Sequence, residues 1–161
     1  MEKINIGIIS NIRKIRLAYR TLINEHPQSP ARVVLEGPSI DTISISPNIS
    51  PQLLLLDYRI VFKDADLFFA LTRDHFGNIP ILLIADPANI DQTRSCDRFI
   101  HSLIAVELDP LQLFSHIRSS VEQYSYHWWT DSIQTSLDNL PVASQYRHMN
   151  AIGWHTYISS S

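Results

Sequence analysis

The sequence predicts an α/β fold in which a five-stranded parallel sheet is covered by helices on both faces. Two observations lead to this prediction. Five short segments are almost entirely apolar, as expected of strands that are buried on both sides, and segments with helical spacing of apolar residues lie between them. With 161 residues, of which 45% are hydrophobic and 18% charged, the chain is long enough to bury such a core.

The first half of the chain supplies three predicted strands and one helix. The strands are INIGII (4–9), ARVVLEG (31–37) and LLLLD (53–57). Residues 10–26 form an amphipathic helix for which Ser10 or Asn11 is the predicted N-cap, and the prolines of HPQSP follow its end. The segment 38–52 is rich in proline and serine and predicts at most a short, weak element at DTISI.

The second half continues the alternation. DADLFFALTRDHFGN (64–78) predicts a helix that ends at Gly77, and IPILLIAD (79–86) and SLIAVEL (102–108) predict two further strands. Asp109 followed by Pro110 is a strong helix start, so residues 109–123 predict another helix. Strands and helices in this order favour a flavodoxin-like sheet, in which ligands bind beyond the carboxyl ends of the strands.

Charge and composition argue against several classes of protein. The net charge is −3 without long runs of like charge, which is not the pattern of an autonomous nucleic-acid binder. The single cysteine fits a reducing compartment, and the seven histidines show no zinc-motif spacing, so no metal site is predicted. The chain begins without a signal-peptide pattern and has no bilayer-spanning apolar stretch. We therefore expect a cytoplasmic protein that does not associate with membranes.

Asp57 ends the third predicted strand, at the edge where this fold places its ligands. The segments LLLLDYR (53–59), NIPILLIAD (78–86) and VELDPLQLFSHIRSSV (106–121) follow one another with the order and spacing of a known pattern. With them, residues 3–122 resemble the receiver domain of bacterial response regulators. The resemblance implies a CheY-like version of the flavodoxin-like fold, with Asp57 at the phosphoacceptor position.

The resemblance also implies chemical groups that this chain lacks. In receivers, two acids help the phosphoacceptor to hold Mg²⁺, and a hydroxyl and a lysine bind the phosphoryl oxygens, because cations must offset the charge when a carboxylate attacks a phosphoryl group. The corresponding positions hold other residue types: Ser10 and Asn11 for the acids, Ala85 for the hydroxyl and Val106 for the lysine. We therefore predict a degenerate receiver without Mg²⁺, in which Asp57 is not phosphorylated by the usual route.

The segment after residue 122 is rich in aromatic residues. It resembles the region that follows the receiver in LuxR-class regulators, most closely those of biofilm matrix of the curli and Vibrio-polysaccharide type. There a sixth helix starts with a Trp–apolar–Thr/Ser–Arg motif that binds cyclic di-GMP in some members. The matching residues are Trp128, Trp129, Thr130 and Asp131. An acid in place of the arginine would repel a bisphosphate, so the alternative is that the tryptophans pack this helix against the receiver or a second subunit.

These features leave three functional hypotheses for a chain divided into a receiver-like domain (1–122), a linker or sixth helix (123–140) and a tail of unclear structure (141–161). The first is the regulatory domain of a LuxR-class regulator of biofilm-matrix genes, which acts as a homodimer and reaches DNA only through an output domain outside this chain. The second is a stand-alone pseudo-receiver that binds a partner protein as an adaptor. The third is a cyclic di-GMP sensor. None of the three is an enzyme.

Overall fold

A computed structural model describes residues 2–46, 48–61, 63–106 and 109–137, without the side chains of 125–137. It contains a five-stranded sheet with the order β2-β1-β3-β4-β5, and every neighbouring pair is parallel. The strands are β1 (Ile4–Ile9), β2 (Ala31–Gly37), β3 (Leu53–Asp57), β4 (Ile81–Ala85) and β5 (Ser102–Ala105). The α-helices are α1 (Arg13–Glu25), α2 (Ala65–Phe76) and α3 (Pro110–Leu137). The predicted flavodoxin-like fold is confirmed.

The sheet has a hydrophobic core on each face. Helices α1 and α3 cover one face, where Tyr19, Ile23, Phe114 and Ile117 pack against alternate strand residues. Helix α2 covers the other face with three phenylalanines, Phe68, Phe69 and Phe76. Because both faces are covered, the four leucines of β3 are completely buried, which explains their uninterrupted apolar run.

The start of α1 differs from the prediction. Ile12 occupies the N-cap position, and its side chain makes no capping bond, whereas Ser10 and Asn11 precede the cap. The Ser10 hydroxyl accepts a hydrogen bond from the Ile12 backbone N–H at 3.1 Å but donates its own proton to Asp57. The predicted N-cap is therefore wrong, because α1 begins only at Arg13 and the Ser10 oxygen accepts from a backbone N–H that precedes the helix.

The connections between strands are less regular than the strands. The weak element predicted at DTISI is a short 3-10 turn, Ile40–Thr42, followed by an isolated bridge between Ser46 and Ile49. Between β4 and β5 the chain forms a 3-10 segment, Pro87–Cys96, which is kinked at Asn89. Strand β5 ends at Ala105, earlier than predicted, and residues 107 and 108 lie outside the described part of the chain.

Helix α3 is one helix over residues for which two were predicted, 109–123 and the extra helix within 123–140. Asp109 precedes its first residue and accepts a hydrogen bond from the Leu111 N–H at 3.1 Å, as its N-cap role requires. The chain divides into two compact units, Met1–Glu122 and Gln123–Ser161. None of the helices in the described ranges combines the length and apolar character that crossing a bilayer requires.

Candidate functional site

Asp57 lies at the carboxyl edge of the sheet, as the sequence predicted. It is the last residue of β3, the central strand, and it is 0% exposed. In the sheet it pairs with Ile84 of β4, and β1 lies on its other side. A carboxylate at this position is therefore removed from water and depends on protein groups for its hydrogen bonds.

Both oxygens of the Asp57 carboxylate have protein donors. Oδ2 accepts from the Ser10 hydroxyl at 2.7 Å and from Nη1 of Arg59 at 3.2 Å. Oδ1 accepts from the backbone N–H of Arg59 at 3.0 Å and, at a longer 3.5 Å, from the same Nη1. An ionised carboxylate offers about four acceptor directions, so these contacts use its capacity almost fully.

Arg59 reaches Asp57 because the chain turns sharply after β3. Residues Tyr58–Ile60 form a 3-10 turn whose N-cap is Asp57 itself, so the carboxylate that caps the turn is also the ion-pair partner of its arginine. The guanidinium carbon lies 5.0 Å from the centre of the Tyr58 ring, a cation–π distance, and the Tyr58 hydroxyl accepts from the Asn89 amide at 2.7 Å. The arginine is thus held by its own turn and by the β4–β5 connection.

Hydrogen bonds also hold Ser10 in place, directly after the end of β1. Its backbone N–H donates to the Gly37 carbonyl at 3.1 Å, which ties it to β2. Its carbonyl accepts from Nη1 of Arg16 at 2.5 Å, which ties it to α1. The Ile12 N–H donates to the Ser10 hydroxyl oxygen, and the hydroxyl proton has its shorter contact with Asp57 at 2.7 Å, against 3.5 Å to the Ile12 carbonyl.

The structure does not bring the other predicted positions into the hydrogen-bond network of Asp57. Asn11 is exposed. Ala85 is buried at the end of β4 and offers only a methyl group, and the backbone N–H of Val106 donates to its carbonyl at 3.2 Å. Among the four predicted pocket positions in the described chain, Ser10 is therefore the one that contacts the Asp57 carboxylate.

Tyr19 was not singled out by the sequence analysis, although it lies near the site. Its hydroxyl donates to the Val106 carbonyl at 3.3 Å and so joins α1 to the end of β5. Burial raises the pKa of Tyr19 to about 12, and the negative charge of Asp57 adds to the rise. The amphipathic pattern of residues 10–26 is a signal for its burial, but the contact with residue 106 depends on the tertiary fold.

The residues at this edge do not fit a Mg²⁺ ion. Such an ion needs several oxygen ligands, usually with more than one carboxylate close by. Asp57 has both oxygens engaged, and Ser10 uses its hydroxyl as a donor to that same carboxylate. Within the described ranges, no three histidine, cysteine or acidic side chains come together in a metal-binding group. In the part of the chain that the structure describes, the cation in contact with Asp57 is Arg59.

The aromatic motif can be located only by its backbone. Trp128, Trp129, Thr130 and Asp131 belong to α3, but their side chains lie outside the described residues. The tail 141–161 also lies outside them. Ligand binding and dimer contact by this motif therefore stay predictions.

Comparison with known proteins supports the fold. No protein-family model and no curated protein sequence matches the chain. Solved structures do match this chain, among them the following three. A CheY-like response regulator receiver domain protein from Methanospirillum hungatei JF-1 is 11% identical, with a TM-score of 0.58 over 78% of this chain and 99% of its own. A LuxR-family two-component response regulator from Aurantimonas sp. SI85-9A1 is 17% identical, with a TM-score of 0.57 over 76% and 87%.

The third match is a structure described as an adenylate cyclase from Rhodopirellula baltica. It is 9% identical, with a TM-score of 0.62 over 82% of this chain and 97% of its own. Identities this low establish a shared fold and no more. The chain folds as CheY-like response regulator receiver domains do.

Proposed function

We propose that this chain is a regulatory receiver-like domain that acts through protein contacts and not through phosphorylation of Asp57. The observation that carries the proposal is the burial and hydrogen bonding of the Asp57 carboxylate. Asp57 is fully buried, and the Ser10 hydroxyl and the Arg59 guanidinium and backbone N–H satisfy both of its oxygens. A carboxylate in this state has little acceptor capacity left to direct at a phosphorus atom.

The surrounding groups support the same conclusion. Phosphoryl transfer to a carboxylate requires positive charge and hydrogen-bond donors around the transferred group, because the transition state carries charge on its equatorial oxygens. Ala85 and Val106, at the positions where a receiver has a hydroxyl and a lysine, have apolar side chains. Arg59 is a cation, but its Nη1 is already paired with the Asp57 carboxylate, which would be the nucleophile.

We propose further that the working form is a homodimer. Tryptophan and tyrosine are enriched in protein interfaces, and residues 124–129 contain two of each. The resemblance of residues 128–131 to biofilm-matrix regulators supports a role in cytoplasmic control of such genes, with DNA bound by an output domain outside this chain. The alternative is a stand-alone adaptor for a partner protein.

A phosphorylation assay tests the central claim. The purified chain is incubated with Mg²⁺ and acetyl phosphate, and acid-labile phosphate is measured by intact-mass spectrometry, beside a conventional receiver domain as a positive control. We expect phosphate on the control and none on this chain. Stoichiometric phosphate that is absent from the Asp57→Asn variant would refute the proposal.

A further inference from the structure

We infer that the Arg59 guanidinium is a built-in replacement for a divalent cation, and that it is the group which keeps metal ions out of this site. The inference deepens the proposed function and rests on it only in treating Asp57 as a receiver-like carboxylate. One nitrogen of Arg59 approaches both carboxylate oxygens, at 3.2 and 3.5 Å, so a single positive centre bridges them.

Contacts with neighbouring groups hold the Arg59 side chain in the conformation that reaches Asp57. Its backbone N–H and its guanidinium both contact the carboxylate that caps its own turn. The Tyr58 ring lies under the guanidinium, and Asn89 holds the Tyr58 hydroxyl. Such pre-organisation lowers the entropy cost of keeping a long side chain over the site.

The other arginine at this edge does not take the same role. Arg16 donates to the carbonyl of Ser10 at 2.5 Å and has no contact with the Asp57 carboxylate among the described hydrogen bonds. Arg59 is also 31% exposed, whereas the carboxylate that it contacts is 0% exposed. A hydrated ion approaching Asp57 would therefore meet a fixed positive charge before it reached an oxygen ligand.

Ser10 and Asn11 explain why the replacement is needed in this chain. The Ser10 oxygen lies 2.7 Å from Oδ2 of Asp57, so a carboxylate at position 10 would bring two negative charges into contact. Such a pair either retains a proton or needs a cation beside it. With neutral Ser10 and Asn11, one buried negative charge remains, and the single charge of Arg59 balances it.

Three variants test the inference through metal binding alone. Ser10→Asp/Asn11→Asp/Arg59→Ala supplies two acids and removes the arginine, Ser10→Asp/Asn11→Asp keeps Arg59, and a third adds Asp57→Asn to the triple change. Mn²⁺ binding is measured by calorimetry and electron paramagnetic resonance. We expect the triple variant to bind Mn²⁺ about tenfold or more tightly than the variant that keeps Arg59, and Asp57→Asn to abolish the gain. Equal affinity with and without Arg59 would overturn the inference.

A second measurement keeps the test valid where the triple variant fails to fold. In Arg59→Ala alone, methylguanidinium chloride at millimolar concentration supplies the missing cation. We expect it to raise the Tm of Arg59→Ala in a saturable manner and to leave the Tm of the unmodified chain and of Asp57→Asn/Arg59→Ala unchanged. An equal response of all three proteins would contradict a cation site. Phosphorylation of Asp57 in the unmodified chain would refute the proposed function without altering either result.

Discussion

The charge of Asp57 is the feature of this domain that depends most on single side chains. A buried carboxylate loses the solvation of water, and its stability then depends on the donors that replace it. Ser10 contributes one short bond, and Arg59 contributes the charge-balancing contact. Changes at these two residues should therefore lower the stability of the domain.

Ser10→Ala tests this expectation. The change removes the donor at 2.7 Å from Asp57 and also the acceptor for the Ile12 N–H. We expect the free energy of unfolding, measured in urea, to fall by about 1–3 kcal/mol, because a buried charged acceptor loses a partner. The control is Asn11→Ala at the adjacent exposed position, with a change of about 0.5 kcal/mol or less. Equal losses for both variants would speak against the special role of Ser10.

Tyr19 gives the domain a specific dependence on high pH. Its folded-state pKa of about 12 lies above the ordinary value of 10.0, so the folded protein holds the phenolic proton more tightly than the unfolded chain does. The resulting stability is fully present below pH 10 and is lost as the pH rises toward 12. We expect Tyr19→Phe to lack this part of the decline when urea unfolding is compared across the same pH range. Parallel pH curves for the two proteins would show that the Tyr19 proton does not contribute.

At the scale of elements, the end of α2 depends on one glycine. Gly77 has φ 83° and ψ −174°, a conformation that side-chain-bearing residues rarely adopt, and its N–H donates to the Arg73 carbonyl at 2.8 Å. We expect Gly77→Ala to lower the free energy of unfolding by about 1–3 kcal/mol through backbone strain, since no atom stands where the new methyl group would lie. Asn78→Ala, at the next exposed position, is the control. A Gly77→Ala protein as stable as this control would rule out the strain.

The strands could be predicted from the sequence, whereas the site could be predicted only in part. The run Leu53–Leu56 is apolar because both faces of the sheet are covered, and this cause leaves a direct mark on the sequence. The location of Asp57 could also be predicted, because this residue ends the apolar run and therefore lies at the end of the strand. The role of Arg59 could not be predicted, because nothing in DYR specifies that a guanidinium folds back over the preceding acid. The N-cap prediction at Ser10 or Asn11 failed for a similar reason: α1 begins only at Arg13, and Ser10 contacts Asp57 across the sheet edge, which the local pattern does not show.

Helix α3 shows a different kind of error. Two helices were predicted because the segment after residue 122 resembles the region of LuxR-class regulators in which a separate sixth helix follows the receiver. The sequence has no glycine or proline between Pro110 and Pro141, so it contains no strong signal to end a helix there. The backbone accordingly stays helical to Leu137. A resemblance that treats these residues as a separate element does not by itself mark the end of a helix.

At the scale of the whole molecule, the homodimer is the proposal most open to test. Size-exclusion chromatography with light scattering, at tens of micromolar protein, should give twice the mass of one chain. We expect Trp128→Ser/Trp129→Ser to reduce that mass to a single chain, because tryptophans dominate interface energy where they occur. Leu111→Ser is the matched control, since Leu111 is a 53% exposed apolar residue of the same helix. A monomer at this concentration, or a dimer indifferent to both changes, would count against the proposed interface.

The pairing of Asp57 with Arg59 also bears on how such a domain could be controlled over time. A phosphate can be hydrolysed and an ion can be chelated, but an arginine encoded in the chain cannot be withdrawn. A domain built this way has no reversible modification that limits the lifetime of its active state. If the domain forms a homodimer, the fraction of dimer depends on its concentration through mass action. Under the proposed function, synthesis and degradation would then set its output, and the rate at which the protein is made would carry the signal.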